Sequence, residues 1–291
     1  MNGFQAILLG IVQGLTEFLP ISSSGHLILV PWIGDFTYLQ DHERFNKTFD
    51  VALHLGTLIA VLAYFARDWV RLTKAGLASI AERRIGADPD RKMAWFLIIG
   101  TIPAGVVGLL AEKKIEQLFH QPDAPHQGSA MIAMAVIIAV LGALLFMAER
   151  LAKHVRTMDQ LCLRDIILIG LAQALAVFPG VSRSGSTITA GLALGLKREA
   201  AARFSFLLGA PIIAGAGLKS GWDLYQRAQA GAALAQTDAV LFAAGFLAAA
   251  VSGYLCIRWL IGYLQENSTY IFVYYRWALA AVIVIVAVVR G

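Results

Sequence analysis

The sequence predicts an all-α integral membrane protein, an inverted-topology repeat with six transmembrane helices and two re-entrant helix-loop-helix pairs. Three observations lead there. The 291 residues are 58% hydrophobic and only 15% charged, where soluble domains average about 45–50% apolar and about 25% charged. Six apolar stretches lie at about 49–66, 94–111, 129–149, 202–219, 238–257 and 271–290, each near the ~20 residues that cross a bilayer core. A polar motif near the N-terminus recurs, without a gap, 160 residues later.

In chain order, residues 3–35 come first. They are long enough for two passes but are broken by Pro20 and by Ser22-Ser23-Ser24-Gly25. Irregular backbone at membrane depth survives only when buried in protein or lining a wet cavity. The region therefore reads as a short helix in, a polar tip and a short helix back. No basic segment precedes its apolar run, unlike a removable signal peptide. Three spans complete the first half, 1–155. Region 164–196, broken at Pro179-Gly180, repeats the design. Three further spans complete the second half, 156–291, and the halves form one membrane domain.

A re-entrant pair returns to its starting side, and three spans end on the opposite side. The second half must then enter from the other face, so that the two tips meet near the midplane. The spans repeat too: Phe96–Gly100 aligns with Leu241–Gly245, and Gly56 and Gly209 share a Leu-Gly context. Basic residues crowd the loop 67–92, the loop 150–165 and the turn 197–203. The positive-inside rule puts these in the cytoplasm. The termini and the mouth of the first tip then face outward. The net charge of +5 is a topology signal and calls for no nucleic acid. Cys162 and Cys256 have no metal or disulfide spacing and are assigned to packing.

The candidate chemistry lies in the duplicated motif. Copy one is Gln13-Gly14-Leu15-Thr16-Glu17-Phe18-Leu19-Pro20-Ile21-Ser22-Ser23-Ser24-Gly25-His26. Copy two is Gln173-Ala174-Leu175-Ala176-Val177-Phe178-Pro179-Gly180-Val181-Ser182-Arg183-Ser184-Gly185-Ser186. Gln13 and Glu17 share a helix face, and that helix should stop near Leu19-Pro20. The serines are N-cap residues for the returning helix, whose free amides form an anion site. Ser182 or Ser184 serves the second tip in the same way. One copy supplies an acid, a hydroxyl and an imidazole at Glu17, Ser23 and His26, and the other a fixed cation at Arg183. An ionisable group at membrane depth costs on the order of 3 kcal/mol, so Glu17 and Arg183 are functional by default. Arg183 suits a bidentate clamp on phosphate oxygens. Other polar residues read as structural: His54 as a helix–helix hydrogen bonder, and His120, His126 and His154 as solvated loop residues. Arg276 reads as a snorkelling cation in an aromatic belt with Tyr270, Tyr274, Tyr275 and Trp277.

The two motifs, Gln13–His26 and Pro179–Thr187, resemble the signatures of the bacterial undecaprenyl-diphosphatase family, the bacitracin-resistance phosphatases. The resemblance runs along essentially the whole chain. It implies hydrolysis of undecaprenyl diphosphate to undecaprenyl phosphate and phosphate, which recycles the lipid carrier of cell-wall synthesis. It implies a divalent cation, Mg2+ or Ca2+, with Glu17 and Gln13 as ligands. Ser23 falls on the serine nucleophile, His26 on the histidine and Arg183 on the phosphate-binding arginine. Ser182 and Thr187 fall on further phosphate-contacting positions, and Gln13, Ser22, Ser24 and Ser184 join them as candidate substrate-binding residues at the two tips. Gln13 stands where many members have glutamate. The expected partners are a polyprenyl diphosphate lipid and the bilayer, with a homodimer as candidate assembly. The expected location is the bacterial inner membrane, with the site open to the periplasmic side. A lipid-phosphate flippase using the same anion site is the rival class, since inverted repeats with broken helices are transporter architecture. Phosphate release separates the two.

Overall fold

The computed structural model describes residues 1–119, 127–229 and 236–290; His120 and His126 lie outside them. The described residues form helices α1 (Gly3–Phe18), α2 (Ser23–Ile33), α3 (Thr37–Asp41), α4 (Glu43–Tyr64), α5 (Ala66–Ala81), α6 (Pro89–Phe119), α7 (Gln127–Leu151), α8 (Leu163–Ala174), α9 (Arg183–Ala193), α10 (Arg198–Gln229), α11 (Gln236–Glu266) and α12 (Tyr270–Arg290). Six of these are long and apolar enough to cross a membrane, and they match the six spans read from the sequence. The chain is an all-α, multi-pass membrane protein.

The remaining apolar helices are short. At 1.5 Å per residue, the 16 residues of α1 extend about 24 Å, and the 11 or 12 of α2, α8 and α9 only about 17–18 Å. None reaches across ~30 Å of hydrocarbon. They form two broken pairs, α1–α2 and α8–α9. Helix α1 shows how sequence sets orientation. Phe4, Ile7, Ile11 and Leu15 lie exposed along one stripe, while Ala6, Leu9, Gly10, Gln13 and Glu17 lie buried on the other. Burial of the polar pair follows from the helical period, because lipid takes the fully apolar stripe.

The two breaks share their serine cap but differ ahead of it: α8 gives way to a 3-10 turn at Leu175–Val177, and Gly180 takes φ 91° at the position of Pro20. Helix α1 ends at Phe18, with Leu19 extended at φ −66°, ψ 141° ahead of Pro20. Ser22 and Ser182 then take left-handed φ values of 78° and 63°. Each caps its returning helix by accepting from the amide three residues on, Gly25 or Gly185. A non-glycine residue pays about 1–2 kcal/mol for that conformation. The same cost appears at equivalent positions in both copies, as expected where geometry at a site is held by its surroundings.

The halves interlock. Helix α1 lies along α11 of the other half, and α8 along α6. At the first contact Gly10 rests on the Gly245 carbonyl, and at the second Gly170 rests on the Gly100 carbonyl. The two glycine pairs are the ones that align between the copies, so duplicated sequence makes duplicated contacts in exchange. A methyl group at Gly10 or Gly170 would collide with backbone.

One expectation needs correction. The basic stretch read as a loop between the first two spans contains α5. Its Val70, Leu77 and Ile80 are exposed while Leu72 and Ser79 are buried, and Arg67, Arg71 and Lys74 lie among them. This is the composition of a helix lying in a membrane interface. Charge content hid its period.

Gly10→Val and Gly170→Val should each destabilise the protein by about 1–3 kcal/mol through overpacking. Gly105→Val, where nothing lies within 4 Å of a new Cβ, should leave the thermal midpoint in detergent unchanged. The comparison is read by thermal unfolding of the purified variants.

Candidate active site

The two tips meet at Glu17. Its carboxylate lies on the last turn of α1 and is 5% exposed. On the Oε1 side Arg183 donates through Nε at 3.3 Å and Nη2 at 3.0 Å. On the Oε2 side the Ser23 hydroxyl donates at 2.8 Å and Gln13 Nε2 at 3.1 Å. Ser23 and Arg183 are the first residues of α2 and α9. The same position in the two copies thus carries a hydroxyl in one and a guanidinium in the other, and both face one carboxylate. The first amides of each helix have no intrahelical acceptor, so two helix N-termini also converge here, which favours an anion.

Several serines and Thr187 bind protein and shape this cradle. Ser22 and Ser182 are the caps already described. Ser184 donates to the Leu19 carbonyl of the other tip at 3.0 Å, and the Gly180 amide donates to Ser24 at 3.4 Å. Thr187 Oγ1 lies 2.6 Å from Ser205 Oγ and 2.8 Å from the Arg183 carbonyl. Arg183 Nη1 donates to the Ser205 carbonyl at 2.9 Å. Gly209 leaves the space this guanidinium occupies, since a Cβ there would overlap it. Arg183 is thereby aimed at Glu17 by α10 as much as by its own helix.

His26 is held from two sides. Its Nδ1 lies 2.6 Å from the Ser22 carbonyl and its Nε2 2.7 Å from the Tyr275 hydroxyl. A carbonyl only accepts, so Nδ1 carries the hydrogen and Nε2 accepts from Tyr275. Both nitrogens are committed, and the ring holds the tip to α12 without meeting Ser23 or Glu17.

Arg276 corrects a second expectation. It is 1% exposed, no snorkelling residue of an interfacial belt. Its Nε donates to the Pro20 carbonyl, its Nη2 is buried without a partner, and it packs on Gly185 of the other tip. The neighbouring tyrosines gave the wrong cue. The rule that singled out Glu17, a charge inside an apolar span, applied equally to Arg276.

His54, expected from the sequence as a helix–helix hydrogen bonder, stands beside Glu17. Its Nε2 lies 3.7 Å from Glu17 Oε2, and its side chain is 36% exposed. Its Nδ1 is bound to the Asp50 carbonyl at 2.8 Å. An imidazole inside a span, one turn after an acid, was the signal that could have found it.

The donor set fits a divalent cation that brings most of its ligands with it. Glu17 offers a carboxylate. Gln13, fully buried, has an Oε1 atom with no hydrogen-bond partner, and amide oxygens ligate hard cations. Among the described residues no group of three His, Cys, Asp or Glu forms a complete cage. A cavity of about 230 Å³ lined by Asp68, Arg71, Asp90 and Arg203 belongs to a different region, where Asp68 and Asp90 pair with Arg71, and Asp68 also with Arg203.

The family model described as Bacitracin resistance protein BacA matches residues 6–282. A protein of Thermomicrobium roseum named undecaprenyl-diphosphatase is 46% identical, with 98% of each chain covered. Proteins of the same name from Rubrobacter xylanophilus and Moorella thermoacetica are each 45% identical, with 96% and 98% of each chain covered.

Gly209→Val should push the Arg183 guanidinium off Glu17. Overpacking alone costs about 1–3 kcal/mol, so the thermal midpoint of the purified variant in detergent should fall clearly below wild type.

Proposed function

We propose, from the premise that this chain belongs to the BacA bacitracin-resistance family, that it hydrolyses undecaprenyl diphosphate to undecaprenyl phosphate and inorganic phosphate. One observation carries the mechanism: Ser23 Oγ lies 2.8 Å from Glu17 Oε2 while Arg183 grips Oε1 of the same carboxylate. A nucleophile, its base and a fixed cation meet at two helix N-termini.

The diphosphate enters the cleft while the prenyl chain stays in lipid, because extraction costs about 0.8 kcal/mol per CH₂. Arg183 turns from Glu17 to the terminal phosphoryl oxygens, joined by the first amides of α2 and α9. Ser23 Oγ attacks the terminal phosphorus, and its proton moves to Glu17 Oε2. The bond from phosphorus to the bridging oxygen breaks. The departing prenyl phosphate takes the electron pair and then the proton from Glu17. In the second half-reaction water attacks the phosphoserine, and Glu17 takes the water proton. The bond from phosphorus to Ser23 Oγ breaks, and Glu17 returns the proton to that oxygen. Arg183 and the helix ends stabilise the charge spread over the equatorial oxygens in both steps.

Tyr275, His26 and Arg276 hold the first tip, and the Ser24 and Ser184 contacts lace it to the second. Glu17 and Gln13 are the residues that would hold a divalent cation. When bound, such a cation neutralises part of the diphosphate charge. The location that goes with this reading is the inner membrane, with the cleft open to the outer face. The basic loops and α5 support it through the positive-inside rule.

Phosphate release from a long prenyl diphosphate by the pure protein in detergent tests the proposal. Wild type should release phosphate and Ser23→Ala should lose about 10³-fold or more. Glu17→Gln should lose about 10²–10⁴-fold and Arg183→Ala about 10³-fold. Arg183→Lys should recover only part of that activity, since an ammonium cannot make the bidentate contact. Rapid quench should trap phosphate on Ser23. A wild-type protein that binds the lipid but releases no phosphate would belong to the transporter class.

A further inference from the structure

Among the described residues three side chains meet Glu17 Oε2, those of Ser23, Gln13 and His54. Ser23 Oγ and Gln13 Nε2 sit at hydrogen-bond distance, 2.8 and 3.1 Å. His54 Nε2 does not: at 3.7 Å it exceeds the ~2.7–3.2 Å of such a bond. A shared divalent cation spans that gap. Two metal–ligand bonds of roughly 2.1 Å set their donor atoms ~3.0 Å apart at a six-coordinate ion and ~3.4 Å apart at a tetrahedral one, so a shift of the imidazole by a few tenths of an ångström seats an ion between them.

The tautomer of His54 agrees. The Asp50 carbonyl 2.8 Å from Nδ1 can only accept, so the ring hydrogen is on Nδ1 and Nε2 presents a bare lone pair toward Glu17. A ligating histidine is oriented in this way, with its second nitrogen donating to a backbone carbonyl. The His54 side chain is 36% exposed, so this edge of Glu17 is not sealed by protein. The third neighbour supplies an independent sign. Gln13 is 0% exposed and its Oε1 meets no donor among the described residues. Rotating the amide exchanges its oxygen and nitrogen, which brings a carbonyl oxygen to the Oε2 side.

The geometry points to His54 as a metal ligand that, with Glu17 and the Gln13 carbonyl, forms the protein half of a divalent-cation site. Water and diphosphate oxygens supply the remaining positions. The imidazole sets the selectivity. Oxygen-only sites suit Mg2+ and Ca2+, whereas nitrogen donors raise affinity for Mn2+ and later transition ions. This site should therefore favour Mn2+ over Ca2+. The inference concerns the same cleft as the proposed hydrolysis but requires no turnover.

The test uses full-length protein in detergent, without substrate, titrated with Mn2+ and followed by electron paramagnetic resonance. Wild type should bind one Mn2+, and pulsed spectra should show nitrogen modulation from one imidazole. Protein made with ¹⁵N-histidine should change the modulation frequency, which assigns the nitrogen without any mutation. His54→Gln should abolish the modulation and weaken Mn2+ binding at least tenfold. It should also reduce the preference for Mn2+ over Ca2+ in competition. The thermal midpoint measured without metal reports whether the variant is folded. Wild-type Mn2+ showing no histidine nitrogen, or unchanged affinity in folded His54→Gln, overturns the proposal. A protein that binds Mn2+ through His54 yet releases no phosphate keeps this site and loses the hydrolase reading. One that releases phosphate without Mn2+–histidine coupling does the reverse.

Discussion

The structure depends on one ion pair between the two tips, Glu17 with Arg183. Each residue alone would be expensive at membrane depth, and removing one partner of a buried pair costs about 3–5 kcal/mol because the other charge is left uncompensated. Pairing makes both tolerable and in doing so fixes the tips against one another. In the proposed reaction the same pairing holds the cation where the phosphate is received. In that reaction the incoming anion takes Arg183 from Oε1, while Oε2 already accepts from the Ser23 hydroxyl. Folding and chemistry thus use one contact.

Duplication explains how a chain builds such a contact. The copies share the break, the strained serine cap and the glycine that lets the first helix of each pair rest on backbone from the other half. They differ at the first residue of the returning helix, where copy one has Ser23 and copy two Arg183, and one turn before the break, where copy one has Glu17 and copy two Val177. Common scaffold brings equivalent positions together, and divergence at those positions makes the pair complementary. Arg276, buried between the tips, supports both: it takes the Pro20 carbonyl and packs on Gly185. Tyr275 beside it holds His26. The last helix therefore acts as the backing of a site whose reacting groups lie elsewhere in the chain.

What the sequence revealed followed from local rules. The period of α1 placed Gln13 and Glu17 on one face, Pro20 ended that helix, and Ser22 and Ser182 capped the next ones. The internal repeat brought Glu17 and Arg183 to one region before any coordinates. What it hid depended on partners distant in the chain. His26 has two nitrogens, and only the position of Tyr275 shows that both are occupied. Arg276 looked like a belt residue because its neighbours in sequence are aromatic, whereas its neighbours in space are the tips. His54 was set aside because a lone histidine in a span is commonly satisfied by packing. Its direction toward Glu17 is a tertiary fact. Helix α5 was missed because charge counting for topology ignores the apolar period running through the same residues.

The most direct test of the account is a double-mutant cycle on the tip-to-tip pair. Thermal or denaturant unfolding of wild type, Glu17→Gln, Arg183→Gln and the double variant would be measured in one detergent. Direct contact predicts that the double variant loses less stability than the sum of the singles, with a coupling of about 1–3 kcal/mol. Additive losses, within about 0.5 kcal/mol, would place the two side chains apart and contradict the shared pocket on which the account is built.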